Sequence, residues 1–340
     1  MSAKVALAPA VCIALIATTA TAGAQEAKIP RTINIYIAGG AGSGMDIYSR
    51  ILAPHMARHI SADTSINVQV MPGAGGIRAA NFMAQTAPKD GSAMATFASG
   101  PLVEPLVGAR KQGYDMSQFF WIGAMSRDVT LCISWAASKF QTLDDVKQNE
   151  MIIAGTGAGA ETDTIPLVLN DVLKTKFRVV SGYQTTSDTL LAIERGEVSG
   201  RCGISYTSLK GSRPNWLSEK KVKILLQMGA EKSPELPDVP LASDIIPKAE
   251  DRQVLDLLVG GTSINRPFAV PPGTPAATVA VLRKAFDAAM VDPAFLQDVQ
   301  NVAADISPTT GTDVQKTIMK LYATPAPIVE RAKKLIEIRN

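Results

Sequence analysis

The chain has 340 residues, 46% of them hydrophobic and 5% aromatic, with a formal net charge of +3. That length allows two domains with their own cores. The small charge and few aromatic residues exclude a nucleic-acid-binding surface. In chain order, Lys4, the apolar run "VALAPAVCIALIATTATAGA" and the A-x-A-like end Ala22–Ala24 predict a signal peptide, residues 1–24, cleaved after Ala24. Cys12 lies in that run without a lipobox, so no lipid anchor is expected. Next, "TINIYIA" (Thr32–Ala38) alternates and is β-branched, which predicts a strand, and Asp46–Ile60 predicts a helix with Asp46 at its positive end. "INVQVMPGAGG" with "IRAANFMAQTA", and "DGSAMATFASG", repeat strand, glycine-rich turn and helix. The second half does the same in "MIIAGTGAGAETDTIPLVLNDVL", "FRVVSGYQTTSDTLLAIERGEV" and "RPFAVPPGTPAATVAVLRKAFDAAM". Two α/β sheets, each doubly wound, follow from this alternation, with ligands expected outside the carboxyl ends of the strands.

The catalytic and nucleotide fingerprints fail. G-x-G-x-x-G breaks at Ile47 when counted from Gly42 and at Arg78 from Gly73; from Gly155 it reaches the tolerated Ala160, but Glu161 then stands where a pyrophosphate would dock. Gly39 and Gly44 have P-loop spacing, but Met45 and Asp46 replace the lysine and hydroxyl. There is no G-x-S-x-G elbow. His55 and His59, the only histidines, are four apart, but "HMARH" lacks the zinc-protease glutamate, so they read as a solvated helix face. No cofactor, metal or catalytic residue is assigned. What remains is a set of turns rich in Gly, Ser and Thr, suited to an anion at backbone N–H groups.

The segments "SGMDIYSR", "VMPGAGGIRAANFMAQTAPKDG", "GYQTTSDTLLAIERGEVSGRCGIS", "LPDVPLASDI" and "RPFAVPPGTPAATVAVLRKAFDAAMVDPAF" resemble the periplasmic solute-binding receptors of tripartite tricarboxylate transporters, the Bordetella uptake gene family. The turn "AGSGMD" is longer than the usual G-G-x-x-D, with Ser43 in place of a second glycine. The resemblance implies a type II periplasmic-binding-protein fold: two α/β domains joined by two crossing strands, with the ligand between them. It implies a discontinuous first domain, residues 28–127 plus 262–340, and a second, 128–261. It also implies a monomeric, non-enzymatic periplasmic protein that takes a small carboxylate and passes it to membrane permease components. A periplasmic sensor acting on a receptor or two-component system is the alternative.

Carried over, the first wall of the site is Ser43, Gly44, Asp46, Gly73, Ala74, Gly75, Gly76, Ser99 and Gly100. The second is Thr156, Gly157, Ala158, Gly159, Thr162, Tyr183, Thr185, Thr186, Ser187, Ser205 and Tyr206. Asp46 is expected to orient its loop or accept a ligand hydroxyl or amine. Arg127, near the hinge, reads equally as a cleft residue or a surface ion pair. In the fold resembled, the strands holding Cys132 and Cys202 are neighbours, which leaves open a disulfide or two buried thiols.

Overall fold

The structure, a computed structural model, describes residues 29–108, 111–157, 160–183, 185–261, 263–302 and 306–337. The expected signal peptide lies outside them. In chain order the first half runs β1 (Thr32–Ile37), α1 (Gly44–Ile60), β2 (Ser65–Val70), α2 (Ile77–Gln85), β3 (Ala93–Thr96), α3 (Gly100–Val107) and β4 (Phe120–Ser126). The chain then enters β5 (Thr130–Trp135), α4 (Leu143–Gln148), β6 (Met151–Ala154), α5 (Glu161–Val172), β7 (Phe177–Val180), α6 (Thr186–Glu194), β8 (Gly200–Ser205), α7 (Tyr206–Ser212), α8 (Pro214–Ser218) and β9 (Val222–Met228). It closes with α9 (Ala242–Ile245), α10 (Ala249–Val259), β10 (Asn265–Val270), α11 (Ala276–Met290), α12 (Pro293–Asn301), β11 (Thr309–Thr310), α13 (Gly311–Tyr322) and α14 (Ala326–Glu337).

The strands form two sheets, ordered β11-β4-β10-β3-β1-β2 and β7-β6-β8-β5-β9. This is the two-sheet α/β binding fold, but each sheet is mixed rather than all parallel. In the first, β1 pairs in parallel with β2 and β3, while β10 is antiparallel to both β3 and β4. In the second, β5 runs antiparallel to β8 and β9. The reason is directional. β1–β3 and β6–β8 run toward the space between the sheets, whereas β5 and β10 are entered from that space and must run away from it.

Both sheets are covered on two faces. In the first, Leu52 and Met56 of α1, Leu282 and Phe286 of α11 and Phe295 of α12 pack with Ile33 and Ile35. On the other face Ala79 and Met83 of α2, Leu102 of α3 and Ile318 of α13 pack with Ala95 and Trp121. In the second sheet, Ile165 and Leu169 of α5, Leu255 and Leu258 of α10 and Ile328 and Ala332 of α14 share one core, and Leu190 and Ile193 of α6 with Leu209 and Trp216 share the other. Helix α14 thus packs on the second sheet's side. Its Arg331 bonds Asp171 and Asp251, each at 2.6 Å.

Cys132 of β5 and Cys202 of β8 pair directly in register and are joined by a disulfide, both fully buried. His55 departs from the solvated face read in the sequence, whereas His59 stays exposed on it. His55 is 3% exposed; its Nε2 meets Asp298 at 2.8 Å and its Nδ1 accepts from Arg58, while His59 reaches Asp292 at 3.0 Å. The cause is α12, which folds back onto that side of α1 and brings two aspartates with it.

Candidate ligand-binding cleft

The first wall comes from the turns after β1, β2 and β3. Ser43 caps α1 by accepting the Asp46 N–H at 3.4 Å. Asp46 is buried; it accepts the Gly42 N–H at 2.7 Å and pairs with Arg50 at 2.7 Å. Its carboxylate is therefore used inside the turn, which it orients. After β2 the chain makes a tight helical turn over Ala74–Gly76. Gly76 has φ +100°, and a Cβ there would sit 3.0 Å from Pro101 and 3.1 Å from Ala38, so only glycine lets this turn rest against its neighbours. Ser99 holds the N-cap position of α3 but makes no cap bond. Its hydroxyl instead crosses the cleft and donates to Glu161, at the start of α5. Gly100 beside it has open space where a side chain would project.

The second wall lies after β6, β7 and β8. Here the turns are tied by their own side chains. The Thr156 N–H donates to Thr162 Oγ1 at 2.9 Å and the Gly157 N–H to Asp163 Oδ2 at 3.0 Å. Thr162, 4% exposed, thus braces the turn from beneath rather than facing a ligand, a correction to its expected place on the wall. Ala158 and Gly159 lie outside the described residues. Thr185 caps α6 in a reciprocal box with Asp188, leaving Thr186 and Ser187 exposed in the first turn. The Tyr183 hydroxyl donates to Glu197 at 3.4 Å. Ser205 caps α7, accepting the Ser208 N–H at 3.2 Å.

Tyr206 is a second correction. Its hydroxyl donates to Glu235 at 3.3 Å, and it lines a separate cavity of about 700 Å³ with Arg127, Asp128, Glu231 and Thr309. That cavity sits where β4 and β11 approach the end of β9, at the opposite edge of both sheets from the glycine turns. Arg127 belongs there too: it donates to Thr309 at 3.1 Å and pairs with Glu231 at 3.3 Å, so of its two readings the ion pair holds. Between the two spaces Asp128 accepts from Thr207 and from Asn265 Nδ2 (3.2 Å), tying one crossing segment to the other.

Three charged residues were not picked out as site residues. Glu161 occupies the first position of α5, where burial raises its carboxyl above the usual range and the Ser99 hydroxyl and Arg201 partly offset this. Arg201 of β8 is 2% exposed; Nη2 donates to the Gly203 carbonyl at 2.9 Å, Nη1 to Thr189, and Nε has no partner. Arg266 of β10 lies 3.9 Å from the Tyr48 ring centroid and donates to Ser126 Oγ at 2.8 Å. Its Nη2 is 3.3 Å from where a Gly44 Cβ would be, and its backbone has φ +54°, a left-handed conformation costly for arginine.

The family model described as tripartite tricarboxylate transporter family receptor matches residues 49–340. The chain belongs to this receptor family. A UPF0065 protein of Bordetella bronchiseptica is 25% identical over 286 residues, covering 83% of this chain and 79% of that protein. Among solved structures, a TctC solute-binding protein from Polaromonas is similar with a TM-score of 0.67 at 18% identity, covering 88% of this chain and 98% of its own. MatC from Rhodopseudomonas palustris, solved with bound malate, is similar with a TM-score of 0.62 at 20% identity, covering 90% of this chain and 99% of that one. Two sheets with facing turns are therefore the receptor family's fold.

Proposed function

We propose that the protein captures a small organic acid in the cleft between its two sheets and delivers it to the membrane permease of a tripartite tricarboxylate transporter. The observation that carries this is the facing of the turns after β1–β3 with those after β6–β8, bridged by Ser99 and Glu161, in a chain of this receptor family. The similar MatC was solved with malate. The protein acts in the periplasm after removal of residues 1–24, as a monomer; its lobes are residues 28–127 with 262–325, and residues 128–261 with α14 packed onto them, which moves the last helix out of the first domain expected from the sequence. It binds its acid without transforming it: the two histidines, the natural acid–base groups, are engaged with Asp298 and Asp292 on the α12 side.

A thermal-shift panel of small organic acids tests this, with NAD and ATP as controls. At 100 times its dissociation constant a ligand stabilises by roughly 2.7 kcal/mol. A shift with at least one acid is expected; a shift with a nucleotide and none with any acid would overturn the reading.

A further inference from the structure

The chemistry of the cleft is not that of a plain anion receptor. A site built only for carboxylates presents donors and cations. Here the second wall presents a carboxylate, at a helix N-terminus where an incoming carboxylate would otherwise find the positive end of the dipole. Glu161 is held in place by a contact from the opposite wall. The Ser99 hydroxyl binds it, abandoning its own helix cap to do so. Arg201 of β8, which packs against α5, is 2% exposed with an unpartnered Nε.

The first wall carries the opposite charge. Arg266 makes no ion pair among the described residues; its contacts are the Tyr48 ring, the Ser126 hydroxyl and the edge of Gly44. The strands deliver Arg266 and Ser99 to the same end of the sheet. Phe268 pairs with Thr96, Arg266 lies two residues before Phe268, and Ser99 lies three residues beyond Thr96. An unpaired guanidinium and a fixed carboxylate thus belong to the walls of one cleft. A ligand with two carboxylates would satisfy the first and be repelled by the second.

We infer that the acid held here also carries a protonated amine, its carboxylate received by Arg266 and its ammonium by Glu161 and Ser99. The ligand class is then an amino acid rather than a plain di- or tricarboxylate. The inference rests on the carboxylate-receptor reading above and deepens it. No bond is made or broken; specificity comes from charge placement, because a buried acceptor left without its donor is costly.

The test is calorimetric titration of the full purified protein with pairs of acids that share a carbon skeleton and differ by the amine: aspartate with succinate, glutamate with glutarate, and alanine, leucine and phenylalanine with their deaminated counterparts. In the wild type the amino member of the best pair is expected to bind roughly tenfold to a hundredfold tighter, the range for a hydrogen bond to a charged group. Glu161→Gln keeps an acceptor for Ser99 but loses the charge, and should bring that ratio close to one. Arg266→Gln should weaken both members alike. Thermal melts of both variants show that they are folded. Tighter binding of the deaminated member by the wild type, or an unchanged ratio in Glu161→Gln, overturns the inference and leaves the receptor reading standing. Binding of no acid, with or without an amine, overturns both.

Discussion

Reducing the Cys132–Cys202 bridge should weaken the second lobe severely. The two cysteines are 70 residues apart in sequence. The chain-entropy model gives a bridge closing such a loop about 4 kcal/mol, roughly a thousandfold in the folding equilibrium. The bridge links β5 to β8 in the middle of the second sheet, and both sulfurs are fully buried, so its loss is felt in the core rather than at an edge. The structure supplies its own reporter. Trp135, at the end of β5, meets Trp216 edge-on with ring centroids 5.2 Å apart, whereas Trp121 lies in the first sheet. Urea unfolding followed by tryptophan fluorescence, with and without reductant, reads the effect. For urea slopes of about 1–3 kcal/mol/M the midpoint should fall by roughly 1.3–4 M. An unchanged midpoint, or two alkyl adducts on native protein treated without reductant, would refute the reasoning.

Further outcomes follow from single contacts. Gly76→Val should destabilise by roughly 1–3 kcal/mol in a denaturant melt, because φ is +100° and Pro101 and Ala38 leave no room; wild-type stability would show that the turn is not packed as described. Arg331→Ala should cost about 1 kcal/mol by freeing α14 from Asp171 and Asp251, read as a lower melting temperature; no change would mean that the strap is not held by these pairs. Burial raises Glu161 above its ordinary 4.5, so the folded state holds that proton more tightly and stability declines as pH rises from 4.5 through the folded value. Glu161→Gln should therefore gain on the wild type as the pH rises above 4.5, and a difference that is flat with pH would contradict the burial of this group.

The elements themselves were legible because their signals are local. Alternation in "TINIYI" and the acidic Asp46 at the start of the helical run mark β1 and α1 within a residue or two of their ends. The antiparallel strands were not, since "NRPFAV" and "TLCISW" have the same apolar character whichever way they run; direction is set by where the chain enters the sheet. Thr162 and Tyr206 were misplaced for a related reason. A threonine three residues after a glycine turn and a tyrosine after a strand are both suited to a cleft wall, and only the packing shows that one braces its turn and the other faces the rear cavity. His55 was missed because Asp298, its partner, lies 243 residues away. Glu161 left a trace in the sequence as the acid that spoils a phosphate site. Arg266 left none, because its importance comes from β10 returning beside β3.

The central claim is that ligand binds between the two sets of turns, and Gly100→Trp tests it most directly. Gly100 begins α3 next to Ser99, and a Cβ there would meet nothing within 4 Å, so a side chain can branch from this position beside the cleft. A calorimetric titration of the best acid from the panel should show one site per chain in the wild type and none in Gly100→Trp, whose thermal melt stays close to that of the wild type. Undiminished binding by the folded variant would place the ligand elsewhere and contradict the account.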